Sequence, residues 1–161
     1  MAQLDVRFFK PFVDGTLHTL KVQCNVEAAH DKPFVKGQKP QPEFGIAGVI
    51  GVTSNAFNGT ITLCFPQAVF LMIMSRMLGE TYTEITKDLE DGAAELLNII
   101  FGQAKSVLNE QGFTIQKAIP TVVRGNNLQT THLAAIPVIV LPFKTENGEF
   151  HIEIVTEGQT L

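Results

Sequence analysis

Long apolar runs are missing from this 161-residue sequence. No stretch stays apolar for the roughly 18 residues that a transmembrane helix needs, and the opening MAQLDVRFFKPF lacks the uninterrupted apolar run of a signal peptide. Charge is also sparse, and the formal net charge of -4 gives no electrostatic reason to expect nucleic acid or an anionic membrane as a partner. We therefore expect a cytoplasmic protein that forms a single domain over residues 1–161.

Cysteine and the common catalytic motifs are scarce as well. Cys24 and Cys64 are the two cysteines, and both lie in apolar patterns typical of strands, so we expect reduced, buried thiols rather than a disulfide. The sequence contains no G-x-S-x-G nucleophile elbow and no G-x-x-x-x-G-K-S/T or G-x-G-x-x-G phosphate-binding loop. The histidines have no metal-ligand spacing with one another or with the cysteines: His18, His30, His132 and His151. Nothing here predicts a nucleophile, a metal or a cofactor supplied by this chain.

Hydrophobic periodicity organises the first half of the chain. DVRFFKPFVDGTLHTLK predicts a helix, in which Pro11 is expected to introduce a kink or mark a later start. The alternating KVQCNVEA then predicts a strand. The segment His30–Gly45 contains three prolines and two glycines and is expected to be a loop. FGIAGVIGVTSNAFNGTITLCF is typical of two strands joined by a turn.

The second half repeats this order. Pro66 is well placed to open a helix that Gly79 ends, and a longer helix follows in EDGAAELLNIIFGQAKSVLNEQG. FTIQKAIPTVVRG is strand-like but broken at Pro120, and HLAAIPVIVLPF and EFHIEIVTE flank a hairpin turn, KTENG. The pattern predicts an α+β fold of pseudo-duplicated α-β-β-β units, with two long helices packed on an antiparallel sheet.

The longer helix has an unusual outward side when its residues are placed at about 100° intervals. One broad side, expected to face the core, carries apolar residues: Leu89, Ala93, Leu96, Leu97, Ile100, Ala104, Val107 and Leu108. The opposite side has Ile99 at its edge and carries polar residues and a glycine: Asp91, Glu95, Asn98, Gly102 and Asn109.

Gly102 suggests why the outward side looks this way. A glycine inside a helix costs about 1 kcal/mol relative to alanine, but it lets another backbone approach closely. Ile99 beside it offers apolar contact area. We therefore predict a docking surface with the carboxylate of Glu95 and the amide of Asn98 at its centre.

Asp91, Glu95, Asn98 and Pro120 together form the pattern D-x3-E-x2-N-x21-P. This pattern resembles the signature of the CheC, CheX and FliY family of chemotaxis phosphatases. The run AAELLNIIFGQAKSVL followed by IPTVVRG is particularly similar to the CheX branch. CheC-type members carry the motif twice, whereas here Lys10 stands where the first-half helix would need the asparagine. We expect one site per chain, as in CheX.

The resemblance implies a phosphatase that hydrolyses the aspartyl-phosphate of a CheY-like response regulator. Glu95 and Asn98 would be catalytic: the family implies that Glu95 pairs with the regulator's lysine, and Asn98 is suited to orienting the hydrolytic water. From their positions on the outward side of the helix, and not from the family, we expect Asp91, Ile99 and Gly102 to contact the regulator. The regulator would supply Mg²⁺, and this chain would bind no cofactor of its own.

One further expectation and two alternatives accompany this interpretation. A homodimer formed through a sheet edge is typical of the CheX branch, with HLAAIPVIVLPF and EFHIEIVTE as candidate edge strands. One alternative is a non-catalytic module of the same fold that binds a regulator without dephosphorylating it. The other is an unrelated structural α+β domain, in which Glu95 and Asn98 would be replaceable.

Overall fold

The structure is a computed structural model that describes residues 6–117, 119–132 and 136–158. Its helices are α1 (Val6–Cys24), α2 (Gln67–Leu78) and α3 (Lys87–Glu110). Its strands are β1 (Ala29–His30), β2 (Phe34–Val35), β3 (Phe44–Thr53), β4 (Phe57–Phe65), β5 (Gln116–Lys117), β6 (Thr121–Leu128), β7 (Val138–Thr145) and β8 (Gly148–Gly158). Within these described residues, no helix has the length and apolar character needed to cross a membrane.

The strands form one antiparallel sheet whose order confirms the predicted α+β fold. The order is β1-β7-β8-β4-β3-β5, with β2 also paired to β7 and β6 also paired to β3. The hairpins β3–β4 and β7–β8 therefore lie side by side through the β4–β8 pair. The hairpin β7–β8 is flanked by β1 and β2 from the first half of the chain. The hairpin β3–β4 is flanked by β5 and β6 from the second half. This reciprocal arrangement is what a duplicated unit would produce.

The three helices share one face of the sheet. Strand pleating points alternate side chains to opposite faces, and on β8 Phe150, Ile152 and Ile154 enter the main core cluster together with residues of all three helices. Phe8 and Phe12 of α1 join the same cluster. The face opposite the helices carries the alternate residues of these strands.

The helix boundaries confirm some predictions and correct one. Gly79 ends α2 in the left-handed conformation, with φ 74°, as its position after the helix predicts. Helix α1 continues through Pro11 and on to Cys24, so the strand predicted in KVQCNVEA is wrong. Cys24 and Val26 are buried because the end of the helix packs into the core, and the backbone N–H of Val26 donates to the carbonyl of Leu20. Both cysteines are buried and free, as expected.

The strands predicted to form a dimer edge lie inside the sheet. Strand β7 pairs with β8 on one side and with β1 and β2 on the other, and β8 lies between β7 and β4. Their edge assignment is therefore wrong, because the short strands of the His30–Gly45 region occupy the outer side of β7. Among the described residues, β6 pairs only with β3, which leaves the other side of β6 as an edge.

Candidate catalytic face of helix α3

Helix α3 is held in place at its N-terminal end by charge interactions. Thr86 precedes the helix in an extended conformation, and Asp88 and Glu90 lie in the first turn, where acidic side chains interact favourably with the helix dipole. Arg124 of β6 makes an ion pair with Glu90, with Nε 2.9 Å from Oε1. The first turns of α3 are thereby linked to the sheet. No local pattern predicts this pair, because its members lie on separate elements.

The inward side of α3 matches the wheel closely, with two differences. Its buried residues are Leu89, Ala93, Leu96, Leu97, Ile100, Phe101, Ala104 and Leu108. Phe101 was not predicted to be buried; its ring packs against that of Phe12, with centroids 6.2 Å apart. Val107 was predicted to be buried and is 41% exposed. The packing of α1 explains both differences, because that helix approaches α3 from the side.

Gly15 allows α1 to approach α3 closely. A Cβ built at Gly15 would lie 3.3 Å from the carbonyl oxygen of Ile100 and 3.6 Å from the Cβ of Gln103. Beyond this contact the two helices leave a groove of about 430 Å³ between them, and Val107 lies in its wall. Neither Glu95 nor Asn98 lines this groove.

The outward side of α3 presents the predicted residues together. Asp91, Glu95 and Gly102 are exposed, and Asn98 and Ile99 are half-buried. Residues three or four positions apart on a helix have Cβ atoms about 5–6 Å apart, so Glu95 and Asn98 form one compact pair. Pro120, the fourth signature residue, lies apart from them in the connection between β5 and β6.

Two carboxylates on this face make no hydrogen bond or ion pair with other polar groups of the described residues. Across the part of the chain that the structure describes, the carboxylates of Asp91 and Glu95 have no hydrogen-bond or ion-pair partner. The carboxylate of Glu95 is therefore available to a cation from another molecule. A convex helix surface of this kind cannot enclose a small molecule, so the ligand it suits best is a macromolecular surface.

Gly102 has no role in the packing of this chain. A Cβ added there would meet nothing within 4 Å among the described atoms. Gly92, on the same helix, is different, because a Cβ there would lie 2.6 Å from the sulfur of Met74 on α2. Gly92 is thus required by internal packing. Internal packing does not account for Gly102, which leaves the outward face of the helix flat.

Lys10 marks the corresponding place in the first half of the chain. Its ammonium group lies 2.7 Å from a carboxylate oxygen of Asp14, one turn further along α1. Both side chains are exposed, and both line the groove between α1 and α3. The outward face of α1 therefore carries an ion pair of Lys10 and Asp14 at this place rather than a carboxylate and an amide.

Comparisons with known proteins agree with the motif. Residues 46–144 match the family model described as chemotaxis phosphatase CheX. A curated relative, the CheY-P phosphatase CheX of Thermotoga maritima, is 23% identical over 159 residues, which is 96% of this chain and 100% of that protein.

Solved structures place the fold in the same group. A CheC-like superfamily protein from Shewanella sp. PV-4 is 33% identical, with a TM-score of 0.89 over 96% of this chain and 100% of that one. The CheX of the CheX–CheY–BeF₃–Mg²⁺ complex from Borrelia burgdorferi is 20% identical, with a TM-score of 0.78 over 96% of this chain and 99% of that one. The resemblance noted from the D-x3-E-x2-N-x21-P pattern is thus confirmed: this chain belongs to the CheX family of chemotaxis phosphatases.

Proposed function

We propose that this protein removes the phosphoryl group from the aspartyl-phosphate of a CheY-like response regulator, and that Glu95 and Asn98 carry the activity. The observation that carries the proposal is the outward pair on α3, in which the carboxylate of Glu95 has no partner among the described residues. Membership of the CheX family supports it. So do the names of two relatives, a CheY-P phosphatase and a CheX bound to CheY.

The partner would supply most of the chemistry. The Borrelia burgdorferi complex includes BeF₃ and Mg²⁺ along with its CheY. In our proposal the regulator brings the phosphoryl group, its acidic pocket and Mg²⁺ to this chain. Phosphoryl transfer depends mainly on positioning and charge neutralisation, so a phosphatase of this kind needs to add only a few well-placed groups.

Asn98 is assigned the orientation of the attacking water. A carboxamide oxygen accepts a hydrogen bond while the NH₂ group donates another, so one side chain can hold a water in a fixed direction. Glutamine does comparable work in some GTPases. The half-buried position of Asn98 on a rigid helix limits the motion of its side chain, which favours accurate alignment with the phosphorus.

Glu95 is assigned to docking. Its carboxylate lies one helical turn before Asn98 and is exposed, so it can meet a lysine ammonium group of the regulator as Asn98 enters the active site. Asp91 adds negative charge one turn further back, and Ile99 and Gly102 give the regulator an apolar contact and a flat backbone approach. These three residues form the rim of the proposed interface.

We further propose that two copies of the chain associate through a sheet edge. Because β7 and β8 are interior strands, the candidate edge is the free side of β6. Val123 on this strand is 44% exposed and gives apolar contact area there. Sedimentation equilibrium of the wild type and of Val123→Lys would test this edge: a dimer that the substitution converts to monomer supports it.

A panel of Mg²⁺-loaded, ³²P-labelled receiver domains tests the function and finds the target. We expect accelerated loss of phosphate from at least one receiver. A receiver that binds the protein while keeping its phosphate would show a non-catalytic binding module instead. Binding is measured on the same panel, with the BeF₃-loaded receivers as stable stand-ins for the phosphorylated form.

A further inference from the structure

The sheet face opposite the helices is covered, and it buries three side chains that can bind a metal ion. Pleating places His151 and Glu153 of β8 on this face, and Cys64 on the neighbouring strand β4 pairs directly with His151. The exposed fractions are 0% for Cys64, 3% for His151 and 1% for Glu153. This cluster lies on the other side of the sheet from α3 and plays no part in the proposed phosphatase.

Glu153 is an ionised carboxylate held by residues of two covering segments. Lys36 Nζ lies 3.1 Å from Oε2, Gln41 Nε2 donates to the same oxygen at 3.0 Å, and the hydroxyl of Thr130 donates to Oε1. The carboxylate of Glu153 is therefore held by an ion pair with Lys36 and by neutral hydrogen-bond donors, and a carboxylate of this kind is able to bind a cation.

His151 is buried without a hydrogen bond to either of its ring nitrogens. Its Nε2 lies 3.5 Å from Oε2 of Glu153, which is an ion-pair distance. Leaving a buried polar group without a hydrogen bond is destabilising. A cavity of about 220 Å³ beside it is lined by both His151 and Glu153. An imidazole that lacks a hydrogen bond and lies beside a cavity and a carboxylate has a ring nitrogen that can bind a metal ion.

We propose that Cys64, His151 and Glu153 bind a divalent transition metal ion, with Zn²⁺ as the favoured ion. One sulfur, one nitrogen and one oxygen form a donor set that suits zinc. The three donor atoms all lie within 4.8 Å of one another. Around a tetrahedral zinc ion such atoms are separated by about 3.5 Å, given bond lengths of about 2.0–2.3 Å, so side-chain rotations closing the gap by about 1 Å complete the site.

The cavity would supply the fourth ligand of the metal ion. Three protein ligands leave a fourth position open, as in zinc sites that exchange a ligand. Water from the cavity can fill that position, and Gln41 and Thr130 in the cavity wall can hydrogen-bond to it. Binding the ion transfers the thiol proton of Cys64 to solvent and forms a metal–sulfur bond.

The positive charge of Lys36 would repel a bound metal ion, and this repulsion predicts how metal affinity changes when Lys36 is replaced. Its ammonium group neutralises Glu153 and would lie close to a bound cation. Lys36 also donates to the backbone carbonyl oxygen of Thr130, so it keeps a partner when Glu153 turns toward the metal. Lys39, a second cation in the cavity wall, acts in the same direction. The fold is therefore expected to form without metal, and metal binding is expected to strengthen when the charge of Lys36 is removed.

Cobalt titration of the full chain tests the site directly. We expect Co²⁺ to give a thiolate charge-transfer band and intense tetrahedral d–d bands, which Zn²⁺ then bleaches by displacement. Cys64→Ser should abolish the charge-transfer band, and the matched variant Cys24→Ser, which alters the other buried thiol, should retain it. Absence of these bands in the wild type, or their persistence in Cys64→Ser, would overturn the proposal.

Lys36→Met provides a second test that does not depend on Cys64→Ser folding. Outer-sphere changes typically alter metal affinity by about 10–100-fold, and we expect removal of this ammonium group to raise the affinity for Zn²⁺ by at least about 10-fold on that scale. The measurement is competition for Zn²⁺ against a chromophoric chelator. Unchanged or weaker binding by Lys36→Met would contradict the proposed ligand set.

Discussion

Arg124 on β6 and Glu90 on α3 form an ion pair between the sheet and the helix that carries the proposed catalytic residues, with Nε 2.9 Å from Oε1. Arg124 also donates from Nη1 to the carbonyl oxygen of Ile85, just before the helix begins. One guanidinium group therefore connects β6, the segment leading into α3 and the first turn of α3. Glu95 follows Glu90 closely in the same helix, so this pair helps to fix the direction in which the catalytic face points.

Removing this pair should have a small effect on stability. Arg124 is 44% and Glu90 27% exposed at their side chains, and ion pairs in such positions contribute about 0.2–1 kcal/mol. We expect Arg124→Gln to lower the free energy of unfolding by no more than about 1 kcal/mol in urea denaturation. Glu90→Gln and the double variant complete a cycle, and a coupling energy of zero would show that the pair does not stabilise the fold.

Gly102→Ala should separate stability from function. A Cβ at Gly102 meets nothing within 4 Å, and alanine is favoured over glycine inside a helix by about 1 kcal/mol. We expect a rise of that size in the free energy of unfolding, together with weaker binding of the regulator measured by calorimetry. Gly92→Ala is the matched control on the same helix, and it should destabilise the fold because its Cβ would lie 2.6 Å from the sulfur of Met74. Unaltered regulator binding by Gly102→Ala would remove Gly102 from the interface.

Glu95→Gln should weaken docking more than it alters the fold. The side chain is exposed and has no ion-pair partner among the described residues, so its charge contributes little to folding stability. Loss of one charge-assisted contact at an interface typically costs about 2 kcal/mol or more, and we expect at least a 10-fold loss of affinity for the regulator on that scale. Glu110→Gln, at the exposed end of α3, is the control for the change in net charge. Equal affinities for all three proteins would contradict the docking role.

Lys36 and Glu153 should behave as a coupled buried pair. Breaking one partner of such a pair leaves an uncompensated charge and costs about 3–5 kcal/mol, whereas replacing both costs much less. We expect Glu153→Gln to lower the free energy of unfolding by about 3 kcal/mol, and Lys36→Met with Glu153→Gln to recover part of it. The measurement is urea denaturation in the presence of a chelator. Additive effects of the two changes would show that the pair is not coupled.

Prediction from the sequence was most accurate for the buried and exposed sides of α3, because one side of this helix packs on the apolar core. The 3.6-residue period located nearly all the buried residues of α3, and the same wheel placed Glu95, Asn98 and Gly102 outward. The errors at Phe101 and Val107 both arise beside α1, which packs Phe12 against Phe101 but leaves an open groove next to Val107. A helical wheel assumes a single direction of burial and cannot anticipate a neighbour that approaches from the side.

Strand order and the buried polar cluster could not be predicted in the same way. Hairpins are local and were found correctly, but the pairing of β7 with β1 and β2 joins distant parts of the chain, and no local pattern encodes it. No local pattern in EFHIEIVTE indicates that His151 and Glu153 are covered. Both are buried because Lys36 and Gln41, in a segment expected to be only a connection, cover that face of the sheet.

The most direct test of the account compares the wild type with Asn98→Ala on a phosphorylated receiver that the wild type dephosphorylates. Misplacing a reacting group by about 1 Å can reduce a rate about 100-fold, so we predict a loss of at least that size when the water-orienting carboxamide is removed. Binding to the BeF₃-loaded receiver should be retained. Asn98→Ala that hydrolyses the phosphoryl group as fast as the wild type would contradict the central claim.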